Sequence, residues 1–328
     1  MQRRVLGAGG PAVSAIGLGC MGMSEFYGPR DDEGSRATLA AALDHGIDFF
    51  DTADTYGLGH NETLIGGFLR GRATPVTIAT KFGIVREPGR YDRRIDNSPA
   101  YIAQACEASL RRLGIETIDL YYLHRRDPSV PIEDAVGAMA RLVETGKVRR
   151  LGLSEVSVDS LRRAHAVHPI AAVQSEYSLW SREPERGMLA ACAELGVAFV
   201  AYSPLGRAFL TGSIAGTGDL AADDFRRHSP RFQGEALDRN IALTRQLADF
   251  AAMRGATPAQ IALAWILARE PHVVPIPGTK RVRYLAENVA AAEIAMSAAE
   301  VATLDRIFAP EAVAGARYPA AGMTGIET

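Results

Sequence analysis

The sequence predicts an α/β protein of the (β/α)8 barrel class, and three observations predict it. Short β-branched or aromatic runs alternate with longer helix-period segments eight times; no Pro/Ser-rich linker or charge run divides the 328 residues; and the strand-like runs end one after another on polar side chains. Length alone suggests two domains at about 150 residues each, but the same prior admits one α/β barrel of about 250 residues or more. Without a dividing segment, residues 1-328 are expected to form a single barrel domain.

Arg3 to Leu6 and Ala12 to Ser14, around Gly9-Gly10, read as a β-hairpin lid over the bottom of the barrel. Strands are expected over 15–19, 48–53, 76–82 and 118–124, with helices near 35–45, 61–70, 98–113 and 132–146. The third helix is the best marked. Ser98 is its N-cap, Pro99 its first position, Ile102, Cys106, Leu110 and Leu113 its apolar face, and Gly114 its stop. The second half repeats the scheme with strands over 148–153, 170–175, 197–203 and 273–277 and helices near 158–166, 185–195 and 281–291. Beyond a minimal barrel lie a loop from about 204 to 236, two helices near 238–253 and 258–268, and a C-terminal helix near 298–308 with a Gly/Pro-containing tail. A loop of about 30 residues is long enough to be functional, and 204–236, with Arg207, Arg226, Arg227 and Arg231, is expected to cover a cofactor.

Composition narrows the function classes. With 47% hydrophobic and 23% charged residues the chain buries a large core, which excludes a disordered or collagen-like protein. Lys plus Arg (36) nearly balances Asp plus Glu (38), so no basic field is available for nucleic acid. Cys20, Cys106 and Cys192 are far apart and have no metal-ligand spacing, which points to no disulfide framework, no metal and a reducing cytoplasm. The chain reaches Gly9-Gly10-Pro11 before any signal-like apolar stretch, and no run suits a membrane span.

Gly17-Leu18-Gly19-Cys20-Met21-Gly22 matches the G-x-G-x-x-G dinucleotide fingerprint, but its context fails. The helix that should open inside the motif waits until about Ser35, and the acidic ribose partner would fall inside that helix. The glycines are read as a tight βα turn whose Cys20 and Met21 touch a ligand through their backbone.

In a barrel the active site forms where strands end. Asp51, Lys81, His124, Ser154, Gln174 and Ser203 end strands two to seven, with Tyr56 in the loop after Asp51. A lysine beside a tyrosine favours phenolate and lowers the phenol's pKa from about 10, while a carboxylate behind it keeps the lysine charged. A histidine across the cavity can hydrogen-bond a carbonyl oxygen. The set suits carbonyl reduction.

Asp51-Thr52-Ala53-Asp54-Thr55-Tyr56-Gly57, Ala79-Thr80-Lys81-Phe82-Gly83 and Leu120-Tyr121-Tyr122-Leu123-His124 resemble the catalytic motifs of the aldo-keto reductases. Gly152-Leu153-Ser154, Val173-Gln174, Ala201-Tyr202-Ser203-Pro204-Leu205-Gly206 and Ile276-Pro277-Gly278-Thr279-Lys280 through Glu287-Asn288 are similar to that family's cofactor segments, so the likeness spans about 15 to 290. The wording from Ser203 to Gly212 is closest to the branch with pyridoxal and perakine reductases. The resemblance implies Tyr56 as general acid, Lys81 and Asp51 as its tuning pair, and His124 as carbonyl orienter. It also implies a bound NADPH (NADP+). Tyr202 would stack on the nicotinamide, Ser154 and Gln174 would hold its carboxamide, and Ser203, Pro204, Leu205, Gly206 and Arg207 would line the pyrophosphate. Gly278, Lys280, Tyr284, Glu287 and Asn288 would surround the adenosine end. One departure is Glu155, which stands where many relatives carry Asn.

The expected activity is NADPH-dependent reduction of aldehydes, and of some ketones, to alcohols. The alternative is an NADP(H)-binding redox sensor like the potassium-channel β subunits; those relatives carry Asn where this chain has His124. Tyr27, Phe82, Trp180 and Phe232 are candidates for an apolar substrate pocket. Whether copies of the chain assemble is left open.

Overall fold

The computed structural model describes residues 1–87, 93–221 and 224–327; residues 222 and 223 of the expected covering loop lie outside this set. Strands β1 (Arg3–Val5) and β2 (Ala12–Ser14) pair antiparallel. Eight short strands then pair in parallel: β3 (Leu18–Gly19), β4 (Phe49–Asp51), β5 (Thr77–Phe82), β8 (Leu120–Leu123), β9 (Leu151–Ser154), β10 (Ile170–Glu176), β11 (Ala198–Tyr202) and β12 (Val273–Pro275). A separate antiparallel ribbon, β6 (Ile84–Arg86) with β7 (Arg93–Ile95), follows the third barrel strand and carries no signal in the sequence reading.

The sheet runs in sequence order from β3 to β12 and then closes on itself. Gly19 bridges Gly278 in parallel, and the Gly17 amide donates to Pro275 O at 3.0 Å. This closure makes the sheet a (β/α)8 barrel. A Cβ at residue 19 would lie 2.8 Å from Ile276 O, so only glycine lets the two backbones meet.

Ten α-helices are defined among the described residues: α1 (Asp32–Asp44), α2 (His60–Leu69), α3 (Pro99–Leu113), α4 (Ile132–Glu144), α5 (Val158–Val167), α6 (Met188–Leu195), α7 (Gly234–Met253), α8 (Pro258–Arg269), α9 (Val282–Ala290) and α10 (Ala298–Ile307). Helix α3 starts and stops on the expected residues. The Ser98 side chain accepts from Tyr101 N, and Gly114 takes a left-handed φ of 67° at its end.

Strand parity explains the core. Alternate residues point to opposite faces of a strand. Phe49, Ala79, Leu120, Tyr122, Ala172, Ala198, Val200 and Val274 pack together inside the barrel, with Leu6 and Val13 from the N-terminal pair among them. Their neighbours Phe50, Ile78, Tyr121, Leu123, Leu151, Val173, Phe199 and Val273 pack outward with the helices. The inward row, continued by twos past the apolar layer, reaches Asp51, Lys81, His124, Ser154, Gln174, Glu176 and Tyr202. Polar side chains therefore converge at the C-terminal ends of the strands.

Candidate active site

Asp51 and Lys81, on adjacent strands, form an ion pair with the lysine fully buried. Lys81 Nζ also donates to Thr52 O at 2.7 Å and lies 3.4 Å from the Tyr56 hydroxyl, which it faces with a hydrogen. The second Asp51 oxygen accepts from Gln174 Nε2 at 2.7 Å. His124 stands edge-on to Tyr56, their ring centroids 5.8 Å apart and nearly perpendicular at 82°. Asp51, Tyr56, Lys81 and His124, read from three separate motifs, thus meet at one place.

Burial dominates their titration. It pushes Asp51 up, against the Lys81 charge and the Gln174 hydrogen bond, and pushes Lys81 down, against Asp51. The sequence reading expects Tyr56 to fall below its ordinary value; the structure reverses this. Burial and then the Asp51 charge raise it well above, and the cation that draws it back is Arg125. The phenol is therefore held protonated.

Ser154 and Gln174 sit side by side in register on β9 and β10, and Tyr202 lies opposite Glu176 on β10 and β11. Behind Tyr202 the chain turns sharply, with left-handed φ at Ser203 (48°), Gly206 (56°), Arg207 (58°) and Ala208 (71°). The Gly206 amide donates to Ser203 O at 2.9 Å, closing a turn that includes Pro204 and Leu205. On the other side of the rim, the Cys20 amide donates to Asp51 O at 2.9 Å, and Met21 opens a short 3-10 turn. Gly278 approaches Gly19, and α9 follows with Tyr284 and Arg283 exposed and Asn288 buried.

Three expected cofactor contacts have their side chains committed to protein partners. The Arg207 guanidinium pairs with buried Glu176 at 2.8 Å and stacks on Tyr318. Lys280 Nζ donates to Tyr27 O at 2.8 Å and Pro29 O at 2.7 Å, and Glu287 accepts from Thr257 Oγ1 at 2.6 Å. The candidate pocket aromatics are mostly core. Phe82 packs on Tyr121, while Trp180, Phe209 and Phe232 form one buried cluster. Aromatic side chains gain most where buried on all sides, and the sequence gives no sign of which side that is.

The long segment after β11 is anchored instead of loose. Glu176 receives Arg207 on one oxygen and the Ser181 hydroxyl at 2.7 Å on the other, with Arg231 and Arg317 both at 3.7 Å. Arg226 pairs with Asp224 at 2.6 Å, and Arg227 donates to Leu220 O at 2.6 Å.

The sequence reading missed the C-terminal tail. Arg317 pairs with Glu155 at 2.5 Å, the Tyr318 hydroxyl meets the Tyr202 hydroxyl at 3.1 Å, and Glu327 pairs with Arg126 at 3.0 Å while accepting from Ser157 N at 2.9 Å. Burial pushes Glu155 up, but Arg317 and Arg125 outweigh it and hold the carboxyl below its ordinary range. Glu176 was legible by parity from Gln174. Arg317 and Tyr318 were not, because the tail has no period to read.

The sequence model of the aldo/keto reductase family matches residues 15–309. A curated relative from Schizosaccharomyces pombe, aldo-keto reductase yakc, whose name specifies NADP(+), is 45% identical over 316 residues, 95% of this chain and 93% of that protein. Among solved structures, the glycerol dehydrogenase AKR11B4 from Gluconobacter oxydans superposes with a TM-score of 0.86 at 29% identity, covering 94% of this chain and 96% of that one. An aldo/keto reductase from Klebsiella pneumoniae in complex with NADP and acetate has a TM-score of 0.73 at 30% identity, covering 97% and 99%.

Proposed function

The chain belongs to the aldo/keto reductase family and is an NADP(H)-dependent oxidoreductase, and on that premise we propose that it reduces aldehydes, and some ketones, to alcohols with Tyr56 as proton donor. The observation that carries this reading is the meeting of Tyr56, Lys81, Asp51 and His124 at the ends of strands whose inward rows lead to them.

Several features support NADPH as the group the rim holds. Ser154 and Gln174 present hydrogen-bonding side chains beside one another, with Tyr202 as a flat apolar neighbour. The turn through Ser203 and Gly206 and the close approach of Gly19 to Gly278 let backbone come near a ligand. Arg281 and Arg283 are exposed at the start of α9, where a 2'-phosphate would find charge. Arg207, Lys280 and Glu287 hold the surrounding loops through the partners described above. When bound, the cofactor supplies hydride to the carbonyl carbon.

The chain's own part is orientation and proton transfer. His124 hydrogen-bonds the carbonyl oxygen, and Tyr56 Oη gives its proton to that oxygen as negative charge develops. Lys81 then stabilises the phenolate, and Asp51 and Thr52 O fix the lysine. We read residues 1-328 as one barrel domain, with the N-terminal hairpin as its floor, the C-terminal helices as additions and 204–236 as the cofactor's cover. The Ser203 to Gly212 wording supports our reading of it as a member of the pyridoxal and perakine reductase branch. No helix among the described residues is long and apolar enough to cross a membrane, and we assign the protein to the cytoplasm. Tyr56→Phe should cut aldehyde turnover by at least about 100-fold while leaving NADPH binding, read by fluorescence, intact. Full activity in that variant would remove the assignment.

A further inference from the structure

Five cations stand at the catalytic rim, Lys81, Arg125, Arg207, Arg231 and Arg317, but three carboxylates, Asp51, Glu155 and Glu176, face them. Four of the five cations lie within 4 Å of a carboxylate. Arg125 does not: among the described residues it has no ion pair.

Arg125 directly follows His124, is 5% exposed, and donates through Nη1 to His124 O at 2.8 Å and to Ser154 Oγ at 3.4 Å. Its Nε, also buried, has no hydrogen-bond partner among the described residues. A guanidinium has five N–H donors, and two neutral oxygens satisfy few of them. A buried guanidinium with an unbonded N–H and no carboxylate in contact has donors left to receive an anion. The Glu155 charge favours the guanidinium from beyond contact, but its oxygens accept from Arg317 at 2.5 Å and from Glu176 N at 3.0 Å, so no carboxylate touches Arg125. Cofactor phosphates belong at the Gly206 turn and the start of α9. Arg125 lies instead on the His124 side, in electrostatic reach of Tyr202, Glu155, Tyr318 and Tyr56. The tail covers it there, Gly325 packing against its Cβ and accepting at its carbonyl from Arg126 N at 3.2 Å.

We propose that Arg125 determines substrate specificity and that the carbonyl compound this enzyme takes carries a carboxylate, bound by the guanidinium while Tyr56 and His124 hold the carbonyl oxygen. The inference rests on the reductase reading above. It is tested by measuring kcat/KM with saturating NADPH for two matched pairs, 4-carboxybenzaldehyde against benzaldehyde and succinic semialdehyde against butanal, in the wild type, Arg125→Gln and Arg125→Lys.

The wild type should favour the carboxylate member of at least one pair by about tenfold or more, as expected for a charge-assisted hydrogen bond. Arg125→Gln should bring that ratio close to one, mainly through KM, and Arg125→Lys should keep part of it. A wild-type ratio near one in both pairs, or an unchanged ratio in Arg125→Gln, overturns the proposal. Should Arg125→Gln not fold, calorimetry on the wild type with NADP+ decides: benzoate must bind at least about tenfold tighter than benzamide, and equal binding overturns the proposal. Turnover of all four aldehydes without charge preference refutes this inference alone. No NADPH consumption with any of them refutes the reductase reading, and this inference with it.

Discussion

Replacing Asp51 by Asn should destabilise the protein at pH 7 by about 3–5 kcal/mol, the usual cost of removing one partner from a buried ion pair. The structure sets a ceiling on that cost. Lys81 has no exposure, and without Asp51 it keeps Thr52 O and the Tyr56 hydroxyl, both neutral. It escapes by losing its proton, which at pH 7 costs about 5 kcal/mol for a group of ordinary pKa about 10.4. At about 2 °C per kcal/mol for a chain of this size, the melting temperature should fall by roughly 6–10 °C. The pH dependence gives the mechanism away. Burial already lowers Lys81 in the intact protein, and losing Asp51 lowers it further. The unfolded variant then binds more protons than the folded one up to about pH 10, so its stability rises with pH over that window. Melts followed by circular dichroism from pH 7 to 10 should show the gap to wild type narrowing steadily. A deficit under about 2 °C at pH 7, or one that does not shrink with pH, refutes the reasoning.

Two further outcomes are expected. Arg317→Ala removes the partner of Glu155 and should cost about 3–5 kcal/mol at pH 7 while speeding proteolysis of the tail. Because Glu155 is held below its ordinary range, its contribution is present above about pH 4.5 and lost as pH falls, so the melting deficit should fade in acid; a deficit constant with pH counts against the pairing. Gly206→Ala meets both a φ of 56° and a Cβ 2.5 Å from Trp180 Cε2, and should destabilise by about 1–3 kcal/mol and weaken NADPH binding; an unchanged melting temperature and Kd contradict the tight turn.

The barrel was legible because one rule, inside and outside alternating along a strand, repeats eight times. It places Phe49 and Asp51, Ala79 and Lys81, and Tyr122 and His124 on the same inward rows. Strand ends were less legible: Thr52 N and Asp54 N still bond to Ala79 O and Lys81 O at 2.9 and 3.0 Å, although β4 ends at Asp51. What sequence did not reveal is where unpatterned chain returns. Arg317, Tyr318 and Glu327 reach the rim through long-range side-chain contacts, and such contacts leave no periodicity. The acidity of Tyr56 was misjudged for a related reason. A neighbouring lysine can be inferred from motifs, but the extent of burial that outweighs it depends on the whole assembly.

The seam between Gly19 and Gly278 has a consequence for how the protein is made. A chain growing on the ribosome has an early strand whose partner is synthesised near the far end, so the circle cannot shut during most of translation. Until then β3 and the newest strand present open edges, the kind of surface chaperones and proteases recognise. Even after Gly278 emerges, the rim lacks Arg317 and Glu327. Chains released early are therefore expected to be cleared as unfinished sheets instead of surviving as feeble enzymes, and cofactor binding becomes a report that synthesis has run through the tail.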